Sequence, residues 1–311
     1  MDMNAMESIY AGGMLGSALG DAVGECAFRF PDEESLQGHL EGTGLLRYTD
    51  DTAMALGLAE CLLQLGDIDQ QELGRIFMTN YEREPWRGYG PGPPAVFSRA
   101  RYGGMSFTAA ARMLFDGKGS LGNGAAMRIV ALGLFFRHST ILYEKARYSA
   151  EVTHCHPVGI DGAAIQAIAV SQAAILDPED EFPALPFIEK LVDAARTDII
   201  REKMTALKTL LRENASPSEA AGILGRSVAV HESMPFAVFS YVKNHRSYED
   251  TIHCAVLHGG DRDTLGAMAG ALSGAYLGAG GLPGDWLVKL ENRNYIANLA
   301  CHLAGTAHAE E

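Results

Sequence analysis

Apolar residues recur along most of the chain at intervals of three and four residues, the spacing that places them on one face of an α-helix. Leu73, Ile76, Phe77 and Tyr81 form one such face. The segment at residues 216–219, Ser-Pro-Ser-Glu, has the residues of a helix start, with a serine cap and a glutamate three positions later. Alternation of apolar and polar residues, which is typical of half-buried strands, is scarce. The pattern predicts an all-α fold.

Two segments, residues 14–24 and residues 265–278, combine glycine, alanine and serine with leucine and methionine and lack a polar face. Helices of this composition are buried all round, and their small residues let two backbones approach closely. We therefore expect both segments at the centre of the molecule. The breaks between periodic segments are too short for an interdomain linker, so residues 1–311 are predicted to form a single compact multi-helix domain.

The composition excludes several classes of function. The chain has 311 residues, 47% of them hydrophobic, and a formal net charge of -14. A binder of free nucleic acid needs clustered lysine and arginine, which this sequence lacks. The five cysteines are widely spaced and never form a Cys-x-x-Cys pair, and no apolar run reaches membrane-spanning length. We expect a soluble cytoplasmic protein with reduced cysteines and neither a membrane nor a nucleic-acid partner.

Two short acidic clusters lie near opposite ends of the chain, and each begins an alanine-rich stretch. They are Thr49-Asp50-Asp51-Thr52 and Asp261-Arg262-Asp263-Thr264. Carboxylate and hydroxyl oxygens are the ligands that Mg²⁺ and Mn²⁺ prefer. Aspartate and threonine are also common at helix N-termini, where they cap free N–H groups and meet the positive end of the helix dipole. The pattern alone leaves open a shared metal site or two helix caps.

A glycine-rich segment at residues 117–124 precedes a predicted helix that starts at Ala125. Such a loop can direct successive backbone N–H groups toward an anion such as a pyrophosphate. Its spacing does not match the phosphate loop of nucleoside triphosphatases. A second glycine-flanked loop lies at residues 87–90 and can bind an anion in the same way. Either loop can also be a plain turn.

Five motifs follow one another in a fixed order along the chain. They are Gly20-Asp21-Ala22-Val23-Gly24, Tyr48-Thr49-Asp50-Asp51-Thr52, Gly122-Asn123-Gly124-Ala125-Ala126-Met127-Arg128, Thr153-His154 and Gly259-Gly260-Asp261-Arg262-Asp263-Thr264. Together they resemble the ADP-ribosylglycohydrolase family, which includes the dinitrogenase reductase-activating glycohydrolase, over residues 14–278. The loops at residues 87–90 and 117–124 are most similar to the branch that acts on poly(ADP-ribose) and ADP-ribosyl-serine. The resemblance implies an all-helical fold with two Mg²⁺ or Mn²⁺ ions at the base of an ADP-ribose cleft.

The resemblance also assigns roles to single residues. The family's two groups of metal ligands match Thr49, Asp50, Asp51, Asp261, Asp263 and Thr264. The implied catalytic residues are Asp50, Asp51 and Asp263. The implied substrate-binding residues are Gly88, Tyr89, Gly119, Ser120, Gly122, Asn123 and His154.

The chain departs from that branch at two positions. The branch carries a glutamate over the scissile bond, four residues after its Gly-Asp-x-x-Gly motif, where this sequence has Phe28. Glu25 is our candidate for the missing acid or base, with Glu33 and Glu34 as alternatives. Leu121 occupies a place where the branch often has an aromatic residue, so part of the adenine stacking is in doubt.

The resemblance implies a metal-dependent hydrolase that cleaves the ribosyl C1 bond of ADP-ribosylated protein side chains or small ADP-ribose conjugates and releases ADP-ribose. A metal-dependent phosphohydrolase is an alternative, because the ligand set does not distinguish phosphoryl from glycosyl transfer. The missing glutamate leaves a further alternative, a catalytically weakened ADP-ribose-binding protein. The sequence does not determine whether the linkage is to arginine, serine, acetate or a nucleobase.

Overall fold

The computed structural model describes residues 4–308. Within that range the chain forms eighteen α-helices, two short 3-10 helices at Asn123–Ala125 and Ala279–Gly281, and no β-strand, which confirms the all-α prediction. The α-helices in chain order are α1 (Ala5–Arg29), α2 (Glu33–Gly42), α3 (Asp50–Leu65), α4 (Gln70–Arg83), α5 (Gly92–Gly103), α6 (Phe107–Arg112), α7 (Leu114–Gly117), α8 (Val130–Phe135), α9 (Leu142–Glu151), α10 (Pro157–Ala174), α11 (Ala184–Ala194), α12 (Asp198–Arg212), α13 (Pro217–Leu224), α14 (Val230–Lys243), α15 (Tyr248–Val256), α16 (Arg262–Leu277), α17 (Gly284–Leu287) and α18 (Arg293–His308).

The local patterns that predicted individual helices are confirmed. In α4, Leu73 and Phe77 are buried, and Ile76 and Tyr81 are half-buried against the core. The residues at 216–219 form the expected capping box, in which the serine and glutamate side chains each bind a backbone N–H group of the first turn of α13. Periodicity and capping therefore located these helices correctly.

Helices α1 and α16 cross the centre of the molecule in direct backbone contact. A Cβ placed on Gly20 would lie 2.0 Å from the carbonyl oxygen of Gly266, and one placed on Gly274 would lie 2.0 Å from that of Gly12. These distances are far below any normal contact of a Cβ atom, so only glycine fits. Because Gly12 faces Gly274 and Gly20 faces Gly266, the two helices run antiparallel. The two small-residue segments are thus central, as predicted, and they pack directly against each other.

This antiparallel packing brings the C-terminal half of α1 to the N-terminus of α16. A Cβ on Gly24 would lie 2.3 Å from the carbonyl oxygen of Arg262, so the two helices remain in contact up to the second acidic cluster. Asp21 of α1 therefore lies at the same end of the pair as Asp261 and Asp263. Helix α3, which begins with the first acidic cluster, packs against both helices.

The prediction of a helix starting at Ala125 is wrong. A 3-10 turn follows the glycine-rich loop, and the next α-helix, α8, begins only at Val130. The physical reason is the fully buried side chain of Arg128, which donates a 3.2 Å hydrogen bond to the carbonyl oxygen of Gly124. In an α-helix that carbonyl would instead accept the backbone N–H of residue 128.

Two expectations from composition can be compared with the structure. All five cysteines are free thiols, with Cys61 and Cys254 buried and the other three half-buried. No helix within residues 4–308 combines the length and the apolar character needed to cross a membrane.

We expect Gly274→Ala to lower the free energy of unfolding by about 1–3 kcal/mol, because the added Cβ would force α1 and α16 apart. Equilibrium unfolding in denaturant measures the change. Gly305→Ala in α18 is the control, since a Cβ there meets no atom within 4 Å. That variant should be neutral or slightly more stable. Equal stability of the two variants would contradict the backbone contact.

Candidate functional site

A cleft of about 700 Å³ opens where the N-termini of α3 and α16 meet the glycine-rich loop. Its acidic end is lined by Asp50, Asp51, Asp261, Asp263 and Thr264. The remaining lining comes mainly from three loops, at residues 88–93, 118–124 and 153–156. These segments are far apart in the sequence, yet they line one cavity.

Asp21 fixes the N-terminus of α3. Its buried carboxylate accepts hydrogen bonds from the backbone N–H groups of Thr49 and Thr52, each at 3.0 Å, and from their hydroxyls at 2.8 and 2.6 Å. Asp50 and Asp51 lie between these two threonines and so are held at the cleft. The sequence analysis gave Asp21 no role, although it is the acidic residue of the first motif.

The second acidic cluster is held by the glycine-rich loop. Asp261 precedes the first residue of α16 and accepts a 2.7 Å hydrogen bond from the side-chain nitrogen of Asn123. The same Asn123 nitrogen lies 3.2 Å from the hydroxyl oxygen of Ser233 in α14. Asp263 accepts a 2.9 Å hydrogen bond from the backbone N–H of Thr264. Asn123 therefore joins the loop to the acidic end of the cleft.

Asp21, Asp50 and Asp51 are buried at this end and Asp263 is half-buried, and both burial and neighbouring negative charge raise the pKa of a carboxyl group. Burial raises the pKa of Asp21 to about 6. Burial and then the charges of neighbouring carboxylates raise the pKa of Asp50 to about 7 and that of Asp263 to about 8. The same two causes hold the pKa of Asp51 well above its ordinary value. The charge of the buried Arg128 opposes this effect at Asp50.

The donor set at the acidic end fits a hard divalent cation, because it consists of carboxylate and hydroxyl oxygens. Asp51 Oδ1 is buried and has no hydrogen-bond partner among the described residues, so it is available to a cation. Within residues 4–308, however, no three His, Cys, Asp or Glu side chains are already converged as a metal site requires. The chemistry of these residues therefore fits a metal, and binding one would require their side chains to turn.

The glycine-rich loop uses part of its hydrogen-bonding capacity inside the protein. Gly119, Gly122 and Asn123 each donate their backbone N–H to another protein atom. The N–H groups of Ser120 and Leu121 have no acceptor within the described part of the chain and are available to a ligand. The expected run of successive free N–H groups is thus reduced to this adjacent pair.

His154 lies beneath the glycine-rich loop. A Cβ on Gly124 would lie 3.1 Å from His154 Nε2, so the loop passes directly over the imidazole. Burial and then the charge of Arg128 lower the pKa of His154 to about 3. The ring is therefore neutral at physiological pH and can bind a ligand oxygen without adding positive charge.

The ADP-ribosylglycohydrolase family model matches residues 2–311. The chain belongs to the ADP-ribosylglycohydrolase family. It is 32% identical to ADP-ribosylhydrolase ARH3 of Xenopus tropicalis, with 93% of each chain covered. It is 31% identical to the human protein of the same name, over 91% of this chain and 89% of the human one. A solved structure described as an ADP-ribosylglycohydrolase-related protein complex shares the fold, with a TM-score of 0.74, 24% identity and coverage of 98% of this chain and 100% of that one.

Family membership supports ADP-ribosyl hydrolysis as the general activity.

The second glycine-flanked loop, at residues 87–90, borders the cleft. Arg87 anchors this loop, because its buried guanidinium pairs with Glu84 at 3.0 Å and with Glu291 at 2.6 Å. The carbonyl oxygen of Arg87 accepts a 2.7 Å hydrogen bond from the N–H of Asp50. Gly88, with a φ of 89°, then lines the cleft beside the Asp50 carboxylate.

Three of the candidate residues lie outside the cleft lining. Thr49 is buried at the start of α3, where its hydroxyl donates a 2.8 Å hydrogen bond to Asp21. Tyr89 turns toward Tyr81, with the ring centroids 5.0 Å apart. Glu25 is exposed on α1, and partial burial of its carboxyl raises its pKa. The alternatives Glu33 and Glu34 are exposed at the start of α2 and do not line the cleft either. The roles of Thr49, Tyr89 and Glu25, like those of the candidate residues in the lining, stay predictions.

Phe115 and His156 are among the lining residues that the sequence analysis did not select. Phe115 is 58% exposed and has a φ of 52°, an uncommon conformation for an aromatic residue. No sequence pattern separates it from a core phenylalanine. His156 follows His154 by two positions, a spacing that does not distinguish a ligand contact from a structural histidine.

We expect the metal-free protein to lose stability as the pH rises from about 4 to about 8. Asp21, Asp50 and Asp263 hold their protons more tightly in the folded than in the unfolded state. The stability that this supplies is complete below the ordinary pKa of 3.8 and is lost as the pH passes about 6, 7 and 8. Melting temperatures in chelator give the profile. Asp50→Asn should flatten it, and a flat wild-type profile would contradict the burial of these carboxyls.

Proposed function

We propose that the protein hydrolyses the ribosyl C1 bond of ADP-ribosylated side chains or small ADP-ribose conjugates and releases ADP-ribose. The observation that supports this best is one cleft in which buried carboxylates and a glycine-rich loop face the same space. A ribose would lie at the acidic end and the pyrophosphate at the loop. Cleavage at C1 passes through an oxocarbenium-like state, so the ribose hydroxyls must be held and a water molecule must lose a proton.

The acidic end is the proposed site of two Mg²⁺ or Mn²⁺ ions. Their ligands would be Thr49, Asp50, Asp51, Asp261, Asp263 and Thr264. When bound, the ions would stabilise charge that develops on oxygen during the reaction. Asp21 and Asn123 would orient these ligands through the hydrogen bonds that they make to Thr49 and Asp261. Asp50, Asp51 and Asp263 are the carboxylates in the cleft that could accept the proton of the attacking water.

The opposite end of the cleft offers neutral donors and an aromatic surface. The free N–H groups of Ser120 and Leu121 suit a pyrophosphate, which explains how an acidic protein can bind an anion. The exposed ring of Phe115 provides a face on which an adenine can stack. Phe115 would thereby supply the stacking that the leucine at position 121 cannot.

A catalytically weakened ADP-ribose-binding protein is the second candidate. It is favoured by the composition of the cleft, since no glutamate of residues 4–308 lines it. Phe28, at the position of the family's glutamate, is 49% exposed and cannot transfer a proton. The activity would then depend on the aspartates alone.

A panel of linkage-defined substrates tests the proposed activity. The purified protein is incubated with Mg²⁺ and ADP-ribosyl-arginine peptide, ADP-ribosyl-serine peptide, O-acetyl-ADP-ribose or a phosphomonoester, and the products are identified by mass spectrometry. We expect release of ADP-ribose from at least one conjugate and no phosphate from the monoester. Binding of ADP-ribose without turnover of any conjugate would favour the binding protein. Release of phosphate would favour the phosphohydrolase.

Asp50→Asn and Asp263→Asn should each lower kcat by at least about 100-fold, because each removes a charged ligand from the proposed metal site. Calorimetric titration of chelator-treated protein with Mg²⁺ should show two bound ions in the wild type and fewer in both variants. Asp285→Asn removes the same charge from an exposed residue of α17 outside the cleft and serves as the control. Wild-type activity and metal stoichiometry in either cleft variant would overturn the metal site.

If Glu25 has taken over proton transfer, Glu25→Gln should lower kcat by roughly 100- to 10,000-fold and leave the affinity for ADP-ribose nearly unchanged. Steady-state kinetics on the substrate found in the panel, with a separate titration of ADP-ribose, measures both quantities. Glu33→Gln and Glu34→Gln test the two alternative glutamates on α2 in the same assay. Unchanged rates in all three variants would show that no glutamate of this region takes part.

A further inference from the structure

Two histidines, His154 and His156, line the cleft on either side of Cys155. They lie directly against the glycine-rich loop, since a Cβ on Gly119 would be 2.7 Å from the backbone nitrogen of His156. A neutral histidine is a donor at one ring nitrogen and an acceptor at the other, so the tautomer decides which group the cleft presents to a ligand. Hydrogen bonds on the protein side of each ring determine that tautomer.

The tautomer of His154 follows from a chain of two hydrogen bonds. Arg128 Nη1 donates to the hydroxyl oxygen of Thr153 at 2.8 Å, and that oxygen lies 2.7 Å from His154 Nδ1. An arginine can only donate, so the Thr153 hydrogen cannot point back to it. The acceptor that the described residues offer this hydrogen is His154 Nδ1. Nδ1 therefore carries no proton, and the ring proton of the neutral imidazole is on Nε2.

The Nε2 side of His154 faces the loop and the cleft. A Cβ on Gly122 or on Gly124 would lie 3.5 or 3.1 Å from Nε2. Nε2 has no hydrogen-bond partner among the described residues, so its N–H is available to a ligand. Arg128 is fully buried beneath, with its guanidinium 4.6 Å from the ring centroid of Phe77. Its position is fixed by packing, and the orientation of Thr153 is fixed with it.

His156 reaches the same tautomer by a different route. It caps α10, and its Nδ1 accepts the backbone N–H of Val158 at 3.2 Å. In this capping form the ring proton is on Nε2, which makes no hydrogen bond within residues 4–308. Both histidines that line the cleft thus have Nδ1 occupied as an acceptor and Nε2 free as a donor.

We propose that Arg128, acting through Thr153, and the capping of α10, acting on His156, hold the two histidines as a pair of neutral Nε2–H donors for an anionic oxygen of the ligand. The inference rests on the proposed function, in which that oxygen belongs to the pyrophosphate of ADP-ribose. Arg128 and Thr153 are positioning residues, and His156 is a ligand-binding residue. Neutral donors suit this place, because they bind a phosphate oxygen without burying another charge next to Arg128.

The tautomer can be measured in the ligand-free protein by long-range ¹H–¹⁵N NMR correlation of the histidine rings. The expected result is Nε2–H for both His154 and His156 in the wild type. Thr153→Val removes the hydroxyl at nearly constant volume and should abolish the fixed tautomer of His154, whereas Thr153→Ser should restore it. An Nδ1–H tautomer in the wild type, or an unchanged His154 in Thr153→Val, would overturn the relay.

Titration of ADP-ribose into His156 variants tests the second donor. His156→Asn retains a capping oxygen for α10 but loses the Nε2–H donor, so it should keep the melting temperature and weaken ADP-ribose binding by roughly fivefold to tenfold. Adenosine, which lacks the pyrophosphate, should bind both proteins equally. An unchanged Kd for ADP-ribose in His156→Asn would overturn the donor role.

These outcomes are separable from a failure of the proposed function. If the wild type does not bind ADP-ribose at all, the proposed function and the assignment of the ligand both fail. The NMR spectra of the ligand-free protein would still decide whether Arg128 and Thr153 set the tautomer. If the wild type binds ADP-ribose and His156→Asn binds it equally well, the donor pair fails and the proposed function stands.

Discussion

The rest of the structure depends on the backbone contact between α1 and α16. Gly12, Gly20, Gly266 and Gly274 lie so close to the opposite backbone that a single methyl group on any of them would overlap a carbonyl oxygen. Each glycine inside a helix is less favourable than alanine by about 1 kcal/mol. The chain accepts this repeated local cost because the contact determines the distance between Asp21 and the second acidic cluster. At these four positions the geometry of the cleft therefore outweighs the low helix propensity of glycine.

The contact also concentrates charge in the interior. Asp21 is stabilised by the N–H and hydroxyl groups of two threonines, whereas Asp51 has one carboxylate oxygen that is buried without a partner in the described part of the chain. Burial and mutual repulsion raise the pKa of several of these groups, which indicates an arrangement that is unfavourable for folding alone. Such strain is typical of binding and active sites, where a ligand compensates what the protein leaves unsatisfied.

Periodicity, capping residues and glycine content were sufficient to predict α4, the start of α13 and the central position of α1 and α16, because burial on one face or on all faces leaves a direct trace in the sequence. The acidic clusters could be recognised as motifs because their residues are consecutive in the sequence. The partners of Asp21 could not, since Thr49 follows it by 28 residues and only the packing of α3 brings them together. The late start of α8 follows from the burial of Arg128, whose side chain donates to the Gly124 carbonyl, and Tyr89 turns toward Tyr81. The sequence pattern carries no signal for either arrangement.

The buried guanidinium of Arg128 interacts with groups at both ends of the cleft. The charge of Arg128 offsets part of the repulsion at Asp50, and its hydrogen bond to Thr153 reaches His154 on the opposite side. A guanidinium exposed in the cleft would attract a pyrophosphate more strongly, but it would also be drawn to the nearby carboxylates. Because Arg128 is buried against Phe77, it does not pair with these carboxylates. Its charge polarises the hydroxyl of Thr153, which in turn contacts the neutral imidazole of His154 in the cleft. The proposed cation and anion sites can then lie side by side in a protein with a net charge of -14.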